Sequence, residues 1–202
     1  MSRLPFSIHL AQINATVGDL QGNAQRILAS YRIAESRGAA LVLTPELALT
    51  GYPPLDLVFR SDFVPRAQEV LERLAAETGE TALLVGTVTV NHGTGKPFRN
   101  SVAVLQHGKI SAFRHKTLLP TYDVFDEDRY FEPAAPQSPL QLRIAGEQVS
   151  LGITICEDVW STEYLPRNLY HRHPITPLKE GGMDLLINLS ASPFQCDKPL
   201  RR

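Results

Sequence analysis

The chain has 202 residues, 43% of them apolar and 20% charged, a composition that predicts one ordinary globular domain with a sizeable core. A formal net charge of −1 gives no sign of the strongly basic surface with which proteins hold nucleic acid or anionic membranes. No apolar run reaches membrane-spanning length, and MSRLPFSIHLAQ lacks the apolar stretch and cleavage site of a secretory leader, so a cytoplasmic protein is expected.

Alternating and apolar runs predict strands over Phe6–Gln12, Ala40–Thr44, Ala82–Val90, Ser101–Gln106 and Lys109–Arg114. Three more follow at Leu140–Ile144, Val149–Ile155 and Asp184–Leu189. Between the first two strands, Gln21–Ser36 carries Ala24, Ile27, Leu28, Tyr31 and Ala34 on one face, the spacing of an amphipathic helix. Phe63–Thr78 repeats the pattern with Val64, Ala67, Val70, Leu71 and Leu74, and Gly79 stops it. The order β-α-β-α-β, followed by strands joined through QHGK (106–109) and AGEQ (145–148), predicts a mixed α/β layered sandwich. Pro120–Pro139 is a long polar, acidic and proline-rich connection between strands, the kind of segment that carries active-site residues.

Cys156 and Cys196 do not form a CxxC pair, and a reducing compartment argues against a disulfide, so neither a thiolate metal site nor a crosslink is expected. His171 and His173 have no Cys, Asp or Glu at ligand spacing and read as a solvated segment; no metal is expected.

Three segments carry reactive residue types at strand ends. In LVLTPELALTGYPP (41–54) an aliphatic strand runs through Pro45 into Glu46. A carboxylate desolvated there gains basicity and suits a general base, although a strand-terminating surface Glu fits the same pattern. In FRHKTLLPTYDVFDEDRYFEP (113–133) Lys116 follows a strand and precedes small and apolar residues. It is either a solvated lysine or, buried beside a carboxylate, a fixed positive charge for a developing oxyanion. In VSLGITICEDVWSTEY (149–164) the strand runs straight into Cys156, with Glu157 and Asp158 opening a helix. A thiol at a helix N-terminus is expected to favour the thiolate, and the free N–H groups of the first turn form an oxyanion pocket; an inert buried thiol is the ordinary alternative. Strand ends on one edge of a layered sheet converge on one crevice, which would bring the three together.

The order Glu46 in PELALTGYPP, Lys116 in HKTLLP and Cys156 in ITICEDVW resembles the nitrilase (carbon–nitrogen hydrolase) superfamily. GYPPLDL, KTLLPTYDVFDEDRYFEP, CEDVW and NLSASPF (188–194) are similar to the glutaminase domains of glutamine-dependent NAD+ synthetases, over the whole of residues 1–202. The resemblance implies a nitrilase-like α-β-β-α sandwich with mixed sheets, truncated at its C-terminus. It implies Glu46 as base, Cys156 as nucleophile, and Lys116 with the backbone N–H of Glu157 as oxyanion holder. Glu127 in FDEDRYF matches the additional acidic residue that orients Lys116, and Tyr122, Ser192 and Lys198 match glutamine-binding positions. Cys196 has no role in that pattern.

By the same resemblance L-glutamine is the substrate, and the glutaminase step needs no cofactor. ATP, Mg2+ and deamido-NAD+ belong to a synthetase domain, in cis or on a separate chain, whose phosphate-binding glycines are not among these residues. A homo-oligomer is implied, with no nucleic acid and no membrane as partner. The sequence departs from the pattern in Ser161–Gly182, where Pro166, Pro174 and Pro177 preclude one continuous helix. The competing readings are another nitrilase-type amidase or N-carbamoyl hydrolase, and a catalytically silent structural module.

Overall fold

The computed structural model describes residues 6–160 and 170–192. The first five strands, β1 (Ser7–Leu10), β2 (Ala39–Leu43), β3 (Ala82–Val90), β4 (Phe98–Gln106) and β5 (Lys109–His115), form one mixed sheet in sequence order. β1, β2 and β3 run parallel, and β4 and β5 return as antiparallel hairpins. The second sheet holds β6 (Leu140–Ile144), β7 (Glu147–Ile155) and β8 (Leu185–Leu189), with β7 central, antiparallel to β6 and parallel to β8.

Side-chain alternation assigns each face. In β3 and β4, Leu83, Val85, Ala103 and Leu105 point towards the helices α1 (Leu20–Ser36) and α2 (Phe63–Ala76). Ala82, Leu84, Val102 and Val104 point the other way, onto Val149, Leu151, Ile153 and Ile155 of β7. Both faces of the first sheet are therefore covered, which is why β3 reads as a continuous apolar run. Each buried Val, Leu or Ile in these two layers contributes about 1.5–3 kcal/mol of burial free energy.

α1 begins where Asp19 accepts a hydrogen bond from the Gly22 N–H at 2.9 Å. It is fixed to the sheet by Tyr31, whose hydroxyl donates to the Thr81 carbonyl and accepts from the Gly79 N–H. α2 buries Phe63, Val64, Ala67, Val70, Leu71, Leu74 and Ala75 along one stripe. Two further short helices are α3 (Glu127–Tyr130), inside the long polar connection, and α4 (Ile175–Glu180). α4 and Met183 lie against the outer face of the second sheet at Gly152, where a Cβ would stand 2.5 Å from the Met183 sulfur. The layers thus run α-β-β-α, as the nitrilase resemblance implies. Among the described residues no helix is long and apolar enough to cross a membrane.

The strand expectations stand with small shifts. β4 starts three residues earlier than its apolar run, because Asn100 is polar yet buried in the ladder. The segment Ser161–Gly182 is described only from Tyr170, and there Pro174 precedes α4 instead of interrupting a longer helix. Pro166 lies outside the described residues.

Candidate active site

Lys116 and Cys156 stand immediately beyond β5 and β7, and Glu46 comes three residues after the end of β2. The turn that carries Glu46 lies directly on β3, and Gly86 makes room for it. A Cβ on Gly86 would be 2.4 Å from both the Leu47 nitrogen and the Pro45 oxygen. The Gly86 N–H donates to Thr44 Oγ1 at 3.1 Å, and the Leu49 N–H donates to the Gly86 carbonyl at 3.0 Å. Leu47 has a left-handed backbone, φ 49°, so the turn is held in a conformation that a free chain avoids.

Lys116 Nζ donates to Glu46 Oε1 and to Glu127 Oε1, each at 2.7 Å, and all three side chains are buried. Charges removed from water in this way persist only inside a closed network. Tyr52 supplies one closing bond, its hydroxyl donating to Glu127 Oε1 at 2.9 Å. The Ala191 N–H donates to Glu46 Oε2 at 3.1 Å. Asn100 Nδ2 donates to Glu46 Oε1 at 2.8 Å and to Glu127 Oε2 at 3.2 Å. Burial works to discharge Lys116, but Glu46 and Glu127 outweigh it and hold the ammonium well above the usual lysine range. Glu127 is raised by burial, pulled back by Lys116 and raised again by Glu46, ending pushed up to about 7.

Cys156 is half-buried with φ 49°, a left-handed backbone at the strand exit. Burial raises its thiol and Glu46 adds to this, while Lys116 and a hydrogen bond from Ser190 oppose; the net position is about 11. This corrects the expectation that a helix N-terminus favours the thiolate here. Cys156–Val159 is a single 3-10 turn, too short to present a macrodipole, and an anion faces the sulfur.

Asp158 joins the two loops. Its Oδ1 accepts from the Thr117 and Leu118 N–H groups at 3.0 and 2.8 Å, and its Oδ2 accepts from the Ile155 N–H at 3.1 Å. Burial outweighs these donors and places the Asp158 carboxyl at about 6. Glu157 is buried, and its two carboxylate oxygens accept from the hydroxyls of Tyr122 and Tyr170. Those bonds and burial push both phenols upward.

The geometry thus brings Glu46, Lys116 and Glu127 into direct contact and sets Cys156 within their field. Tyr122 stands at the rim, packed edge-on against Phe125 and tilted against Trp160. Ser192 lines a cavity of about 400 Å³ beside Pro45, Asn188 and Ser190. Lys198 and Cys196 lie outside the described residues. His171 lines a shallow crevice with Thr117 and Asp128, and His173 lies apart from it, against Trp160 and Lys179. Among the described residues no cluster of three His, Cys, Asp or Glu is arranged to hold a metal. Sequence reasoning missed Asn100, Tyr52, Asp158 and Ser190. Only Asp158 carried a usable signal, an acidic residue two positions after a strand-end thiol.

A profile of the carbon–nitrogen hydrolase family matches residues 8–191. A glutamine-dependent NAD+ synthetase of Synechocystis sp. is 44% identical over 199 residues, covering 96% of this chain and 35% of the relative. The chain therefore spans about a third of the length of that curated relative. Among solved structures, the glutamine-dependent NAD+ synthetase of Acinetobacter baumannii, in complex with ADP, superposes with a TM-score of 0.81 at 28% identity. That match covers 97% of this chain and 34% of the other. An amidase from Nesterenkonia sp. AN1, bearing acrylamide added to its active-site cysteine, superposes with a TM-score of 0.70 at 25% identity. It covers 95% of this chain and 69% of the amidase.

Proposed function

The chain belongs to the carbon–nitrogen hydrolase family, and from that premise we propose that Cys156, Glu46 and Lys116 hydrolyse the side-chain amide of glutamine. The observation that carries this reading is the buried Lys116 ammonium clamped at 2.7 Å to Glu46 beside a strand-end thiol. The similarity to glutamine-dependent NAD+ synthetases supplies the substrate.

A thiol pushed up to about 11 is almost wholly protonated at neutral pH, so it needs a base at the moment of attack. Glu46 takes the Sγ proton as Sγ bonds to the amide carbon. The carbonyl oxygen becomes an oxyanion facing Lys116 and the Glu157 backbone N–H. The C–N bond breaks as Glu46 returns the proton to nitrogen, releasing ammonia and leaving a thioester. Water, deprotonated by Glu46, then attacks the thioester carbon; glutamate departs and the thiol recovers its proton. Glu127 keeps Lys116 aimed and charged throughout. Tyr122, Glu157, Ser192 and Lys198 hold the amino-acid end of glutamine.

In this reading the ammonia serves the ATP- and Mg2+-dependent amidation of deamido-NAD+ to NAD+ at a synthetase domain. The glutaminase step itself uses no cofactor, and the enzyme acts in the cytoplasm as a homo-oligomer. The test is Cys156→Ala in the full-length protein. Glutamine hydrolysis is expected to vanish while NAD+ synthesis from free ammonia continues. Undiminished glutaminase turnover would sink the assignment, and loss of some other amidase activity instead would favour a nitrilase-type amidase.

A further inference from the structure

Asn100 sits in the middle of the catalytic cluster, 1% exposed, on the strand that runs between the two carboxylates. A single nitrogen, Nδ2, donates to Glu46 Oε1 and Glu127 Oε2, so its two hydrogens are divided between the two acids. Its other polar atom, Oδ1, is buried with no hydrogen-bond partner among the described residues. A buried acceptor without a donor is costly, and native structures tolerate one where something else is gained. The opposite amide orientation would press Oδ1 against two carboxylates. The orphaned oxygen is thus the cost of aiming both N–H groups at the acids, and a packing role would not demand it. The Asn100 main chain adds to this, because its carbonyl accepts from the Lys116 N–H at 2.9 Å.

We propose that Asn100 is a positioning residue that holds Glu46 and Glu127 as carboxylates on either side of the Lys116 ammonium, leaving Glu46 free to take the Cys156 proton. The inference rests on the base role of Glu46 given above. Besides Lys116 at the end of β5, the titratable groups facing this pair are Tyr52 after the Glu46 turn, Cys156 beyond β7, and Tyr170. Tyr52 donates to Glu127. A donor to the charged form stabilises it, so removing Asn100 disfavours the charged acids.

The readout is the rate of Cys156 alkylation by iodoacetamide as a function of pH, in the full-length protein, with Cys156→Ala giving the background. This requires no turnover of glutamine. In Asn100→Leu the acid limb of the profile is expected to move up by about one pH unit, roughly a tenfold slower reaction at the low-pH end that recovers as pH rises. Asn100→Ser keeps one donor and is expected to shift less, and it remains informative if the leucine variant does not fold. A purely structural residue would slow alkylation evenly at every pH; an unmoved acid limb in Asn100→Ser overturns the proposal. Shifted limbs in a protein that does not hydrolyse glutamine would sink the glutaminase reading and leave this one standing.

Discussion

Gly86→Ala tests whether the Glu46 turn is placed by contact with β3. The backbone of Gly86 is ordinary strand, so alanine incurs no conformational strain there. A Gly→Ala change at a compatible position stabilises by about 0.4–1 kcal/mol through the unfolded chain. Here the added methyl meets Leu47 N and Pro45 O at 2.4 Å and Glu46 C at 2.8 Å. All three are backbone atoms, and no side chain can swing aside. The turn must retreat by ~1 Å, and overpacking of that kind costs about 1–3 kcal/mol, which outweighs the gain. The carboxylate that moves is the one held at 2.7 Å from Lys116. A misplacement of ~1 Å in a catalytic group costs on the order of a hundredfold in rate. Thermal melting and Cys156 alkylation by iodoacetamide at pH 7.5 would be measured side by side, with glutamine hydrolysis as a third readout. The expected variant folds, melts several degrees lower and reacts about a hundredfold more slowly. Wild-type melting together with wild-type alkylation would refute the reasoning, because it would mean the turn does not depend on the missing Cβ.

Two further outcomes follow from the buried charges. Lys116→Met leaves Glu46 and Glu127 facing each other without their counter-ion and is expected to cost about 3–5 kcal/mol at pH 7.5. Urea unfolding at pH 5.5 should show a smaller deficit, since protonating one acid removes the repulsion; a deficit independent of pH would point to lost packing of the lysine stem. In the native protein Glu127 is pushed up to about 7 from an ordinary 4.5, so its stability contribution is full below 4.5 and is lost as pH rises through 7. Glu127→Gln should therefore flatten the fall in stability across that window, and denaturation curves parallel to wild type would contradict it.

Residues whose environment is set by neighbours in sequence were legible without a structure. The helices α1 and α2 show their buried stripes directly, and Glu46, Lys116 and Cys156 each follow an apolar run. What was hidden depends on distant pairings. Asn100 looks like an interruption of a strand until the acids contributed by residues 46 and 127 meet it. Tyr52 becomes relevant through a partner 75 residues away. The thiol was misjudged because a strand end followed by two acids suggests a helix, whereas the chain makes one 3-10 turn and exits. Its acidity is decided by burial and by Glu46, neither of which a local reading supplies.

Asp158 gives the centre a folding history as well as a shape. Lys116 hangs from the five-stranded sheet and Cys156 from the three-stranded one, and a single carboxylate accepts backbone N–H groups from both loops. The bonds that complete the pocket span 41 residues for Asp158 to Thr117, 70 for Lys116 to Glu46 and 145 for Ala191 to Glu46. Because loop-closure entropy grows with separation, contacts of such long range are expected to close after the local hairpins of each sheet. A chain whose sheets had collapsed but not locked in register would have most of its secondary structure and a cysteine without its base. Reactivity at Cys156 thus doubles as a clock for the last stage of folding, reporting when two separately built halves have become one molecule.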